Sequence, residues 1–139
     1  MELVYHPLFD RWYELLLKAD IEVAGDVMAL FTALEEHGLD LGDPESHPVV
    51  TSTLGLRALR RTPPTDVTPY ATDPPVLRVL YGFAAPPKGR VRAVVLFGGD
   101  KTELRSRWYP SATAEAERRL VGWCGQMGWD LRTFRWKDG

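Results

Sequence analysis

One cysteine, Cys124, and three histidines, His6, His37 and His47, are all that this chain of 139 residues offers as soft metal ligands. A lone cysteine excludes an internal disulfide, and the four residues have no metal-ligand spacing, so neither a metal nor another cofactor is expected. With no histidine or basic cluster beside it in sequence, Cys124 reads as a helix residue and not as a nucleophile. No apolar run approaches the ~20 residues of a membrane span. The N-terminus, MELVYHPLFDRW, carries acids and no basic leader ahead of an apolar segment, which sets the expectation of a cytoplasmic protein with no membrane contact. The nucleotide-binding P-loop is missing as well. LFGGDK, residues 96–101, has the right order of strand, glycines and lysine, but the loop needs glycine where Asp100 and Val95 stand. An aspartate there repels phosphate, so a phosphate held at this stretch falls to the side chain of Lys101.

What is present suits one compact domain over residues 1–139, since 45% of the residues are hydrophobic and the length leaves no room for a second core. The net charge of -2 conceals an asymmetry. Residues 1–50 hold two basic residues against eleven acidic ones, and residues 51–139 hold fifteen against eight. Such a division points to a polyanionic partner for one surface, with the other surface solvated and acidic.

The hydrophobic pattern places these charges. After a possible short strand at Glu2–Tyr5, Leu8, Trp12, Leu15 and Ala19 recur at helical spacing, predicting a first helix over Pro7–Lys18. Asp20 can cap a second, whose stripe is Val23, Val27, Leu30 and Leu34 and whose natural stop is Gly38. Beyond His47 the period becomes strand-like, in Leu54–Arg61, Val76–Phe83 and Val91–Gly98. The third run is apolar enough to be central. Leu77, Val79, Tyr81 and Phe83 share one face of the second strand and leave Arg78 and Leu80 on the other. Arg60 and Arg78 thus stand in or beside apolar strands, where a charge is costly unless it is paired or opens on a groove. Thr62–Pro75 holds five of the eleven prolines and reads as an exposed loop. From Ser111 a closing helix carries Ala116, Leu120, Trp123 and Met127, and residues 130–139 form a basic, aromatic tail. The expected fold is α+β: two N-terminal helices on one face of a twisted, mainly antiparallel sheet of three to five strands, a C-terminal helix, and an opposite face partly open and basic.

Several pieces occur in a telling order: LEEHGLDLGDP (34–44), Leu59-Arg60, RVLYGF (78–83), Val94–Leu96 with Lys101, and the helix around Ala116. The set resembles the RelE/ParE toxin superfamily, in particular its HigB-like, phage Gp49-like branch. That resemblance implies the toxin of a type II toxin-antitoxin system, a metal-independent endoribonuclease that cuts messenger RNA on the ribosome and blocks translation. It also implies neutralisation by a cognate antitoxin, a HigA-like helix-turn-helix protein. Carried onto this chain, it makes Arg60, Arg78 and Lys101 the cations that stabilise the phosphate, with Asp100 orienting Lys101 or taking a proton. Arg57, Arg61, Arg105 and Arg107 become RNA-binding positives. Trp108 and Tyr109 become base-stacking candidates that equally suit anchoring the last helix, and Tyr81 fits the core better than a base. No histidine falls on an expected strand, so the proton acceptor would be a lysine or arginine of depressed pKa, or Asp100. The branch has glutamate where Ala58 stands. A second reading therefore stays open, a toxin-fold protein that acts by binding, as ParE-like proteins do on DNA gyrase, or a degenerate module of that fold.

Overall fold

A computed structural model describes residues 1–61, 76–102 and 104–134. In chain order these form strand β1 (Leu3–Tyr5), helices α1 (Pro7–Ala19) and α2 (Ile21–His37), strands β2 (Ser46–Pro48), β3 (Arg57–Arg60), β4 (Leu77–Ala85) and β5 (Arg92–Asp100), helix α3 (Trp108–Met127) and strand β6 (Asp130–Arg132). The protein is α+β. Its three helices lie against a mixed sheet, since β1 runs parallel to β5 while every other pairing is antiparallel. In the order β1-β5-β4-β3-β2, β5 is an inner strand between β1 and β4, as expected, β4 stands in the middle, and β6 pairs with β4 beyond the end of β3. That is six strands where three to five were expected: β1 falls within the short strand expected at Glu2–Tyr5, and β2 and β6 are too short to leave a period-2 signal. The proline-rich segment 62–75 and residues 135–139 lie outside the described residues. The first part of the expected tail is β6, and Phe134 behind it stands edge-on to Phe83 at 5.1 Å.

Local chemistry explains the helices. His6 Nδ1 accepts from the Leu8 amide with Pro7 at the first helical position, and Asp20 accepts from the Val23 amide, so both starts are capped. Gly38, at φ 56°, ends α2 in a conformation that favours glycine. Val23, Val27 and Leu34 are buried as the periodicity predicts. The face of α1 is the expected one only at Trp12. Leu8 and Leu15 are exposed, and Phe9 is buried with Trp12, Tyr13 and Leu16 packed around it. Apolar residues occur almost all round this helix, and the aromatic side, which removes more area from water and meets Tyr5 and Phe31, takes the core. In α3 the buried line is Ala112, Ala116, Leu120 and Cys124, while Met127 is exposed.

The two faces of the sheet carry separate cores. Leu59, Leu77, Val79, Tyr81, Phe83, Ala93 and Val95 meet α1 and α2. Leu56, Ala58, Leu80, Ala84, Val94 and Leu96 meet α3. The second face is therefore covered by α3 and not open along its length, a correction to the half-bare sheet expected from the sequence. A register shift opposite Leu80 and Tyr81 puts one extra residue into β5, and Arg119 of α3 donates to the Leu96 carbonyl at that point, at 2.7 Å. Among the described residues no helix is long and apolar enough to cross a membrane.

The glycines of LFGGDK are packing residues. A Cβ on Gly98 would lie 2.4 Å from two ring carbons of Trp12, and one on Gly99 would lie 3.0 Å from the Trp108 indole on the opposite face. Gly98→Ala should therefore destabilise the protein by about 1–3 kcal/mol, as overpacking does. Gly122→Ala, at a helical position with open space around the new methyl, should be neutral or stabilising by up to about 1 kcal/mol. Denaturant unfolding of the two variants checks the pair, and equal destabilisation would refute the packing role.

Candidate functional site

The end of the sheet where β3 and β4 meet β5 gathers positive charge. Arg60 and Arg78 stand directly opposite one another in the β3–β4 ladder, and Gly99 stands opposite Arg78 on the other side. Like charges in direct cross-strand register repel. Lys101 follows two residues after Gly99, and its amide is tied to the Val76 carbonyl at 2.9 Å. Its Nζ lies 5.5 Å from the centre of the Tyr109 ring. Burial first, then the charges of Arg78 and Arg60, lower the Lys101 pKa. The three cations thus feel one another.

Arg78 is the unusual member. Its residue is only 7% exposed, one terminal nitrogen donates to the Leu77 carbonyl at 2.8 Å, and Nε is buried with no hydrogen-bond partner. No ion pair to Arg78 occurs among the described residues. Among the described residues Arg60 has one carboxylate within reach, that of Asp43 at 3.6 Å, and Asp43 is 74% exposed, so the pair is weak. A buried guanidinium with no counter-charge is costly, and an anion that binds between these side chains relieves that cost.

His47 belongs to the same group. It lies on β2 opposite Ala58, which puts it on the sheet face that carries Arg60 and Arg78. Burial, then Arg60, Arg78 and Arg57, against the opposing pull of Asp43, push its pKa from 6.5 to about 4. The ring is neutral at pH 7. Its Nδ1 is buried without a partner, which leaves Nε2 as the nitrogen available to a ligand. The sequence reading missed His47 because β2 has three residues and ends in proline, too little pattern to mark a strand.

The other expected site residues divide. Arg57 does not line the groove: it is 5% exposed and points to the α2 side, where it donates to Ser46 Oγ and the Leu41 carbonyl. Arg61 does not either, since it is buried against Asp26 of α2 at 2.9 Å. Tyr81 is fully buried and shares a 2.6 Å hydrogen bond with Ser46, so no base can stack on it. Trp108 is buried over Gly99 and beside Phe97, an anchor for α3 and not an open stacking surface. Asp100 does not orient Lys101; its carboxylate accepts from the amide and hydroxyl of Thr102. Arg105 and Arg107 are exposed in a short turn ahead of α3, and Tyr109 is half-buried beside Lys101. Burial raises the Cys124 thiol pKa, in keeping with a packing residue. What the arrangement offers chemically is a neutral imidazole, two arginines and a lysine on one sheet end. No protein-family model matches the chain, and no curated protein or solved structure does.

Two outcomes follow from these electrostatics. Arg78→Met, which fills the site without a charge, should raise stability by about 1–3 kcal/mol, because a buried uncompensated charge is removed; equal or lower stability in urea unfolding would show that the arginine is already satisfied. The His47 prediction concerns pH. Above pH 6.5 the imidazole is neutral folded or unfolded, but between 6.5 and about 4 only the unfolded chain takes the proton, so the folded state loses ground as the pH falls. His47→Gln should shrink the stability lost between pH 7 and pH 5, as read from melting temperatures.

Proposed function

We propose that this protein is an RNA-cleaving toxin of the type II toxin-antitoxin kind, a metal-independent endoribonuclease that acts on messenger RNA at the ribosome. The observation that carries the reading is the buried guanidinium of Arg78, without an ion pair among the described residues and sharing one sheet end with Arg60 and Lys101. A pentacoordinate phosphate gathers negative charge as it forms, and preorganised cations stabilise it more than they stabilise the ground-state diester. Arg60 and Arg78 are assigned to the non-bridging oxygens. Lys101, its pKa lowered by burial and by the two arginines, is assigned to the departing 5′-oxygen, to which a lysine nearer neutrality yields a proton more readily. The RelE-like arrangement belongs to the same proposal, supported by the antiparallel β3, β4 and β5 with these cations at their end. So do an antitoxin that covers the cations and a cytoplasmic site of action, where ribosomes are met.

The test compares Arg78→Ala, Lys101→Ala and Arg90→Ala, each confirmed as folded, for cleavage of messenger RNA on purified ribosomes at two salt concentrations. Arg78→Ala and Lys101→Ala should lower the rate by about 10²-fold to 10³-fold at both salts, by analogy with the loss of an oxyanion-hole donor. Arg90, exposed in the turn between β4 and β5, should change only salt-sensitive affinity. Equal losses in all three, all restored at low salt, would reduce the region to an electrostatic surface. Growth arrest with intact messenger RNA and inhibited gyrase would move the assignment to the binding mode of ParE-like proteins.

A further inference from the structure

Beside the cations lies a small cavity of about 220 Å³, lined by His47, Pro48, Val49, Val50, Thr51 and Tyr109. It is smaller than the roughly 300–1,000 Å³ of sites for drug-sized ligands, which suits a single planar ring system. Its walls are mostly apolar, with the Tyr109 ring on one side. Val50 at its rim is 95% exposed, an apolar side chain turned to solvent in a turn of the chain. The cavity touches the cationic group at two points, through His47 itself and through Tyr109, over whose ring Lys101 sits. An apolar slot with an aromatic wall next to a phosphate-holding cluster has the two halves of nucleotide recognition, a surface for the base and cations for the backbone.

We propose that this cavity is a ribonucleoside subsite and that His47 accepts the proton of the 2′-hydroxyl presented there. The proposal rests on the ribonuclease reading and names the acceptor which that reading requires. With the base against Tyr109 and Val50 and the 3′-phosphate between Arg60, Arg78 and Lys101, the ribose lies between them, on the His47 side. The 2′-hydroxyl proton passes to Nε2 and the 2′-oxygen bonds to phosphorus. The bond from phosphorus to the 5′-oxygen of the next nucleotide breaks, and that oxygen takes a proton from Lys101. The products are a 2′,3′-cyclic phosphate and a 5′-hydroxyl. His47 then loses its proton to water and Lys101 regains one, so no co-reactant is consumed.

The surroundings of His47 make it dependent on substrate. Burial opposes its protonation most, Arg60 on β3 and Arg78 on β4 oppose it next and Arg57 on β3 least, and Asp43, just before β2, favours it. A phosphodiester bound between Arg60 and Arg78 offsets their charge, so the imidazole gains basicity when a substrate phosphate arrives.

The three histidines make the test direct, because His6 and His37 serve as references in an NMR titration of the whole protein. The probes are adenosine 3′-phosphate, ribose 3-phosphate without a base, and inorganic phosphate. Each should move the His47 titration to higher pH and leave His6 and His37 in place, and the nucleotide should bind about tenfold or more tighter than the baseless sugar phosphate. Val50→Asp should remove that advantage and keep the response to inorganic phosphate. In the ribosome assay His47→Gln should slow cleavage by about 10²-fold or more and flatten the acid side of the pH profile. Equal affinity with and without the base, or an advantage that survives Val50→Asp, overturns the subsite. Cleavage by His47→Gln at the wild-type rate overturns the acceptor while leaving the ribonuclease reading intact. A wild-type protein that binds the nucleotide with the base preference but cuts no RNA retains the subsite and ends both the acceptor and the ribonuclease reading.

Discussion

Strand β4 is the constraint on which the rest of the structure depends. All nine of its residues from Leu77 to Ala85 are buried, so it needs a partner on both edges and cover on both faces. The edges are met by β5 on one side and by β3 and β6, end to end, on the other. The faces are met by the α1–α2 pair and by α3. Gly82 lets the cover come close, since a Cβ there would lie within 3 Å of methyl groups of Leu120 and Leu56. Only one charged residue interrupts this strand, Arg78. It lies near the end where the ladder meets Arg60, Gly99 and the Trp108 indole, so the chain's most enclosed strand delivers a cation to the edge of its own core.

Keeping Arg78 there costs stability, and under the proposed function that cost is met by a site prepared in advance. Apolar residues of similar size would hold β4 more firmly, yet they would offer nothing to an anion. His47 is similar: burial above all, and then Arg60 and Arg78, which are assigned to bind phosphate, hold its ring neutral. Stability and proposed function draw on one set of charges, and they pull it in opposite directions.

Much of the framework was legible in the sequence because it rests on long periodic segments. Both N-terminal helices, the caps at Asp20 and Gly38, and the alternation of Leu77, Val79, Tyr81 and Phe83 are local patterns, and the structure retains them. Arg60, Arg78 and Lys101 were also visible, as charges in or just past apolar strands. What escaped was settled by contacts distant in sequence. Leu8 and Leu15 obey the helical period as well as Phe9 and Leu16 do, and only the aromatic neighbours Tyr5 and Phe31 decide which side turns inward. Gly98 and Gly99 could be set apart from a phosphate loop by spacing alone, but nothing local says that Trp12 and Trp108 will lie over them. His47 could not be placed without knowing that three residues before a valine-rich turn pair with β3.

The charge asymmetry changes meaning once its partners are known. Fifteen basic residues in the second part of the chain suggested a surface for a polyanion, yet several of them are answered from within. Arg61 meets Asp26 of α2, Arg92 meets Glu2 ahead of β1, and Arg119 meets Glu115 one turn earlier on α3. The acidic N-terminal part is therefore more than a solvated face; two of its carboxylates tie α2 and the start of β1 to the sheet. Such pairing sorts the arginines by position in the fold and not by number. Arg61 and Arg92, beside the N-terminal elements, find carboxylates, while among the described residues the group of Arg60, Arg78 and Lys101 has only the exposed Asp43, within reach of Arg60. A sum over the chain gives -2 and hides this division. Anion recognition depends on the local excess where desolvation makes each charge count, and that excess is concentrated around Arg78.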